Sequence, residues 1–161
     1  MSRISRSDML IQFCNAAAER STCLRSQVGA IIARDGRPIS VGYNGAAEGK
    51  PHCTPETCGP DKPCTNTIHA EANAISFAAR KGIATEGAWL YCTYSPCQKC
   101  AELILQAGIK FLVFEHCYRD MAPLDYLHYN LPRDKQVMIF QWMGALAPED
   151  DGLMLWDFDA A

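Results

Sequence analysis

Apolar residues recur three and four apart at Met9, Leu10, Phe13, Cys14 and Ala17, which predicts an amphipathic helix over about residues 7 to 20. The period then shortens. "VGAIIAR" and "RPISVGYN" read as two strands of a hairpin, joined by Asp35-Gly36, a pair suited to a tight two-residue turn. From Gly45 to Thr65 the rhythm stops, and Gly, Pro, Cys and polar residues take over. A loop of that length needs an internal tie or a function. Helical spacing returns in the Ala-rich stretch from His69 to Lys81, with Gly82 as its stop. "AWLYCTY" follows as a strand, "PCQKCAELILQAG" as a helix opening on Pro96 and closing on Gly108, and "KFLVFEH" as a strand with a continuous apolar centre.

The order α, β, β, α, β, α, β predicts an α/β fold, a mixed sheet with helices on both faces. Past Tyr118 the pattern predicts a helix near residues 122 to 130 and a strand in "QVMIF". The tail "APEDDGLMLWDFDAA" alternates acidic and large apolar residues, which suits packing against the core or a neighbour. A length of 161 residues with 48% hydrophobic composition fits a single domain, 1–161, with a Cys-rich insertion at about 45–65 and an acidic, apolar tail at about 145–161. The N-terminus lacks the long apolar run of a signal peptide, and no stretch is long and apolar enough to span a bilayer, so a cytoplasmic location is the expectation.

Net charge is −3 and no Lys/Arg run stands out, which argues against gripping a nucleic-acid backbone as the main task. Nine cysteines without an export signal point to metal rather than disulfides. Cys97 and Cys100 are three apart at the start of a predicted helix, where its positive end favours thiolates. His69 opens another. Two sulfurs and one imidazole can hold one Zn²⁺ and leave a fourth position for water. Two thiolates cancel the charge of the ion, so the water is acidified less than three histidines would achieve, and a nearby base becomes necessary. Glu71, two residues from His69, supplies it.

The motifs H-x-E, in "TIHAEANAI", and P-C-x-x-C, in "YCTYSPCQKCAELILQAGIK", together form a zinc deaminase signature. With "RSTCLRSQVGAII", "GYNG", "PHC" and "YRD" in that order, the chain resembles the cytidine and deoxycytidylate deaminase family from about Phe13 to Asp120, and within it the deoxycytidylate branch. The resemblance implies a three-layer α/β/α sandwich around a mixed five-stranded sheet. It also implies hydrolytic deamination of dCMP to dUMP: zinc-bound hydroxide attacks C4, and Glu71 protonates N3 and then the departing amino group. A modified dCMP, a free cytidine nucleoside or tRNA adenosine are alternative substrates, and a zinc-stabilised binding module is the non-enzymatic one. The acidic balance and the cysteine-rich loop weigh against tRNA.

Cys23, Cys53, Cys58 and Cys64 are candidates for a second, structural zinc that clamps the long loop to the body, with His52 as a competing ligand. The resemblance supports such a site. Cys14, Cys92 and Cys117 stand in apolar surroundings and are expected in the core. By resemblance, Asn44 lies at the ribose 3′-hydroxyl, Arg25, Ser26 and Arg119 near the nucleotide phosphate, Tyr118 against the base, and Ala70 in the substrate wall between His69 and Glu71. His116 and His128 are expected to be ordinary structural or surface residues. Relatives in this branch also bind dCTP as activator and dTTP as inhibitor with Mg²⁺, and are commonly hexamers. Those effectors and a homo-oligomer are therefore expected partners, although Ala46 and Ala47 stand where the family often has a proline in the effector loop.

Overall fold

A hydroxyl starts the first element. In the computed structural model, which describes residues 3–58, 64, 66–129, 131–144 and 151–158, Ser5 caps helix α1 (Arg6–Ala18) by accepting the Asp8 N–H at 3.0 Å. Strands β1 (Gly29–Arg34) and β2 (Arg37–Tyr43) form the expected hairpin. Asp35 and Gly36 both have positive φ, 52° and 71°, as a tight hairpin turn requires. Two short strands, β3 (Gly45–Ala46) and β4 (Thr67–Ile68), pair across the base of the long loop. Then come α2 (Ala70–Arg80), β5 (Trp89–Tyr94), α3 (Gln98–Gln106), β6 (Phe111–His116), α4 (Ala122–His128), β7 (Met138–Trp142) and β8 (Leu153–Leu155).

The main sheet runs β2-β1-β5-β6-β7-β8. β1 is antiparallel to β2 and β5, β5, β6 and β7 are mutually parallel, and β8 returns antiparallel to β7. Strand alternation divides the core into two layers. Ile31, Ala33, Tyr91 and Val113 face Leu10, Ile11 and Cys14 of α1. Ala30, Ile32, Leu90, Leu112 and Phe114 face Ala74 and Ala78 of α2, Ala101 and Ile104 of α3, and Leu124 and Leu127 of α4. The α/β/α sandwich is therefore present, with six strands in place of the expected five. The sixth comes from the tail, whose Trp156 N–H donates to Ile139 O at 2.9 Å and whose indole packs on Phe114. Of the predicted segments, residues 59–63 and 65 of the loop, Asn130 at the end of the predicted helix, and 145–150 and 159–161 of the tail lie outside the described residues. Among the described residues, no helix is long and apolar enough to cross a membrane.

Register decides where chemistry can occur. Gly29 lies opposite Tyr43, Ala30 opposite Cys92, and Tyr94 beside His116. The start of β1 and the ends of β2, β5 and β6 consequently meet at one end of the sheet. That end also receives the start of α2, which is fixed on β2 by Ser40 Oγ donating to Ala74 O at 2.6 Å and Asn73 Nδ2 donating to Tyr43 O at 2.6 Å. Gly42 makes this approach possible, because a Cβ there would fall deep inside the Ala70 carbonyl oxygen and 2.5 Å from Ala74 N. Gly42→Ala is expected to cost roughly 1–3 kcal/mol or more, since backbone rather than a flexible side chain must yield. Denaturant unfolding reads the loss, and metal analysis should show weaker zinc retention as His69 shifts with its helix.

Candidate active site

His69 and Cys97 occupy the N-cap positions of α2 and α3, with extended backbone, and neither side chain caps its own helix. They turn toward each other instead. His69 Nδ1 lies 3.4 Å from Cys97 Sγ and 3.5 Å from Cys100 Sγ, and the three atoms form one set within 4.8 Å. A tetrahedral zinc with Zn–S near 2.3 Å and Zn–N near 2.0–2.1 Å has S···N edges of about 3.6 Å. The donor set, one imidazole nitrogen and two sulfurs, matches that ion in spacing and in softness.

Electrostatics agree with this arrangement. Hydrogen bonds from Cys100 and His69 hold the Cys97 thiol at about 3, and the contact with Cys97 raises His69. Cys100 is pushed the other way, first by its hydrogen bond to Cys97 and then by burial. Glu71, in the first turn of α2, is only 4% exposed, and burial raises its pKa above the ordinary carboxylate value. It stays outside the donor set and borders the cavity next to it.

That cavity, about 490 Å³, lies at the sheet end described above, within the range of ~300–1,000 Å³ usual for small-molecule sites. Its lining gathers His69, Ala70, Glu71 and Cys97 from the helix starts, Arg25, Ser26 and Asn44 from the edge of the hairpin, and Tyr118 and Arg119 from beyond β6. Cys100 sits behind this wall, 2% exposed. All the residues expected at the first metal and at the substrate are thus brought to one place.

Asn44 proves to be a clamp as well as a wall residue. Its Oδ1 accepts Val28 N–H at 2.8 Å, its Nδ2 donates to Ser26 O at 2.7 Å, its main-chain N–H donates to Val28 O and its carbonyl accepts Thr22 N–H. Gly45 follows because a Cβ there would lie 2.7 Å from Thr22 Oγ1. The pair in "GYNG" therefore holds the segment bearing Arg25 and Ser26, and Asn44 keeps one lone pair and one N–H for a ligand.

The second cysteine set is gathered only in part. Cys53, Cys58 and Cys64 converge with their sulfurs within 4.8 Å, whereas Cys23 and His52 do not join them. Cys23, like Cys64, borders the cavity, and its charge also acts on Cys58; the segment before it is tied to Asn44 by the Thr22 N–H. Cys53 Sγ and Cys64 Sγ are 3.6 Å apart, near the edge of about 3.8 Å expected around a tetrahedral zinc. A hydrogen bond from Thr67 lowers Cys64 to about 6, while burial, ahead of its contacts with Cys64, lifts Cys58 to about 11.

Cys14 and Cys92 are buried as expected, but Cys117 is exposed and borders the cavity. Its place just past the end of β6, between His116 and Tyr118, puts it outside the sheet's apolar interior. Sequence patterns also passed over Thr67 and Ser95, both of which line the cavity. Ser95 was visible only as the residue before Pro96 in the metal motif. No periodic signal marks a loop hydroxyl.

The raised pKa of Glu71 fixes the sign of a pH effect. The folded chain binds its proton more tightly than the unfolded chain, so this group's contribution to stability is complete below the ordinary glutamate value and is lost as pH rises through the folded one. In zinc-free protein, Glu71→Gln should therefore be more stable than the parent at neutral pH, and the difference should vanish in acid. Thermal unfolding across pH checks it; a difference of constant size would remove the buried carboxyl as its source.

Comparison with known proteins agrees with this geometry. Residues 4–116 match the family model described as the cytidine and deoxycytidylate deaminase zinc-binding region. The chain is 44% identical over 120 residues to ComE operon protein 2 of Bacillus subtilis, covering 74% of this chain and 64% of that protein. It is 36% identical over 126 residues to the deoxycytidylate deaminase of Mycobacterium phage D29, covering 71% of this chain and 97% of the phage enzyme. The crystal structure of dCMP deaminase from the cyanophage S-TIM5 in complex with dCMP and dUMP superposes with a TM-score of 0.73 at 28% identity, over 83% of this chain and 94% of that one. A two-helix N/S/S donor set beside a buried glutamate, on this sheet and in this order, makes the chain a member of the cytidine and deoxycytidylate deaminase family of zinc-dependent hydrolases.

Proposed function

We propose that the chain hydrolyses dCMP to dUMP and ammonia. The observation that carries this reading is the buried Glu71 carboxyl bordering one cavity together with His69, Cys97 and two arginines, Arg25 and Arg119. A zinc ion bound at His69, Cys97 and Cys100 supplies Lewis acidity and brings the pKa of water toward neutrality. Glu71, its own pKa raised by burial, takes the proton from the attacking water, delivers it to N3 of the ring, and carries the second proton to the amino group as the C4–N bond breaks. One water enters and one ammonia leaves.

The remaining lining residues orient the nucleotide. Arg25, Ser26 and Arg119 meet the phosphate, Asn44 offers its remaining polar capacity to the ribose 3′-hydroxyl, Tyr118 covers the base, and Ala70 leaves room beside His69. Two guanidinium groups suit a monophosphate dianion, for which bidentate contact adds direction as well as charge. The phage D29 and cyanophage relatives, named for dCMP, support the same substrate. A second zinc at Cys53, Cys58 and Cys64 ties the long loop to β4, and cysteines kept reduced for metal suit a cytoplasmic enzyme.

Ammonia release from dCMP, CMP, deoxycytidine and dCTP, assayed side by side, is expected to give the highest kcat/KM for dCMP; equal turnover of deoxycytidine would remove the phosphate contacts. Glu71→Gln should keep its zinc and lose kcat by roughly 10²–10⁴-fold. Metal analysis should find two zinc ions per chain. Cys58→Ser should lose one of them while the His69 site stays loaded, and a parent protein with a single ion would sink the second site.

A further inference from the structure

Ser95 has no part in the donor set or in the proton path, yet it is tied at three points. It is 3% exposed and lines the cavity. Its main-chain N–H donates to His116 O at 2.8 Å, extending the β5–β6 ladder one step past the Tyr94 and His116 pair. Its hydroxyl accepts the Tyr118 N–H at 2.7 Å and donates to Met121 Sδ at 4.0 Å. β6 ends at His116, and α4 does not begin until Ala122. Across that gap the chain has no strand or helix to supply main-chain partners, and the Ser95 hydroxyl provides one where the ladder stops. Met121, at the far side of the gap, packs on the core below α4.

The consequence is geometric. Ser95 stands two residues before the donor Cys97, and the segment it holds carries Tyr118 and Arg119, which border the same cavity. We infer that Ser95 is a positioning residue that sets substrate specificity: its hydroxyl pins the 117–121 segment so that Arg119 faces the substrate phosphate at a fixed distance from the metal donors. This rests on the reading that Arg119 meets the phosphate of a pyrimidine nucleotide. The hydroxyl acts through the main chain, because its short bond goes to Tyr118 N–H and its proton goes to a sulfur, leaving little for direct contact with the ligand.

Two measurements on the zinc-loaded protein test it. Amide hydrogen exchange at Tyr118 should be slow in the parent, faster in Ser95→Ala and slow again in Ser95→Thr, which restores the hydroxyl. With dCMP, Ser95→Ala should raise KM about three- to tenfold, the worth of one buried hydrogen bond, with kcat within about twofold; KM for deoxycytidine should move less than about twofold. Zinc content should not change. Equal KM shifts for the two substrates, or unchanged exchange at Tyr118, overturn the inference. A parent that turns over no dCMP would overturn the substrate reading instead, while the exchange experiment still decides whether Ser95 holds the segment. Should Ser95→Ala not fold, Ser95→Cys, with its weaker acceptor, gives the same comparison.

Discussion

Two helix N-termini must point at one spot, and the site exists only because they do. α2 and α3 each present unsatisfied N–H groups and the positive end of a dipole there. Their N-cap residues, His69 and Cys97, satisfy neither helix by the usual side-chain route. The compensation is negative charge: the Cys97 thiol, whose pKa is lowered by its hydrogen bonds to Cys100 and His69, sits where the two positive ends meet. Capping is given up so that donors can face inward. Replacing His69 or Cys97 with a good cap such as Asp would serve the helix and dismantle the centre.

The sheet imposes that convergence. β1 lies antiparallel to β5 while β5 and β6 run parallel, so the chain returns to the same end each time it prepares to enter α2 or α3. The close approach at Gly42 and the Ser40 and Asn73 bonds fix how far α2 slides along β2. Loops then complete the cavity, and they are held by buried side chains bonding to main chain. Asn44 secures residues 22–28, Thr93 Oγ1 accepts Gly29 N–H at 3.3 Å, and Ser95 secures Tyr118. Short polar residues at strand ends therefore do for the loops what ladders do for the strands.

Elements with a strong period were legible in the sequence: α1, the Asp35-Gly36 hairpin, α2, β5, α3 and β6 fall where apolar spacing puts them. The metal donors and Glu71 were legible for a different reason, since two short motifs carry residue types with one common use. What periodicity missed has physical causes. β3 and β4 are two residues each, too short to alternate, and exist through pairing across twenty residues of loop. β8 lies in a tail whose acidic residues mask its apolar ones, and it is a strand only because β7 offers an edge. Sequence proximity to β1 does not reveal that the segment bearing Cys23 is tied to Asn44 through Thr22, beside the tight trio of Cys53, Cys58 and Cys64. Cys117 looked apolar from its strand, but the strand ends one residue earlier.

The cysteine trio and the active site are not independent structures. Cys64 belongs to the trio and also borders the cavity; Thr67 hydrogen-bonds to Cys64 at 3.0 Å and Cys53 at 3.6 Å and borders it too. Thr67 is the first residue of β4, and His69 follows β4 directly. At the base of the loop Gly45 pairs with Ile68 and Ala46 with Thr67, and Asn66 Nδ2 donates to Pro51 O at 3.1 Å. Closing a loop of that length costs chain entropy, which so short a ladder offsets poorly. The metal proposed at the trio would divide the loop into shorter ones and restrain Thr67, which bonds to two of its sulfurs. The Cys-rich loop and the first donor, His69, are thus joined through the two residues of β4, beside the Ser40, Asn73 and Gly42 contacts that seat α2 on β2.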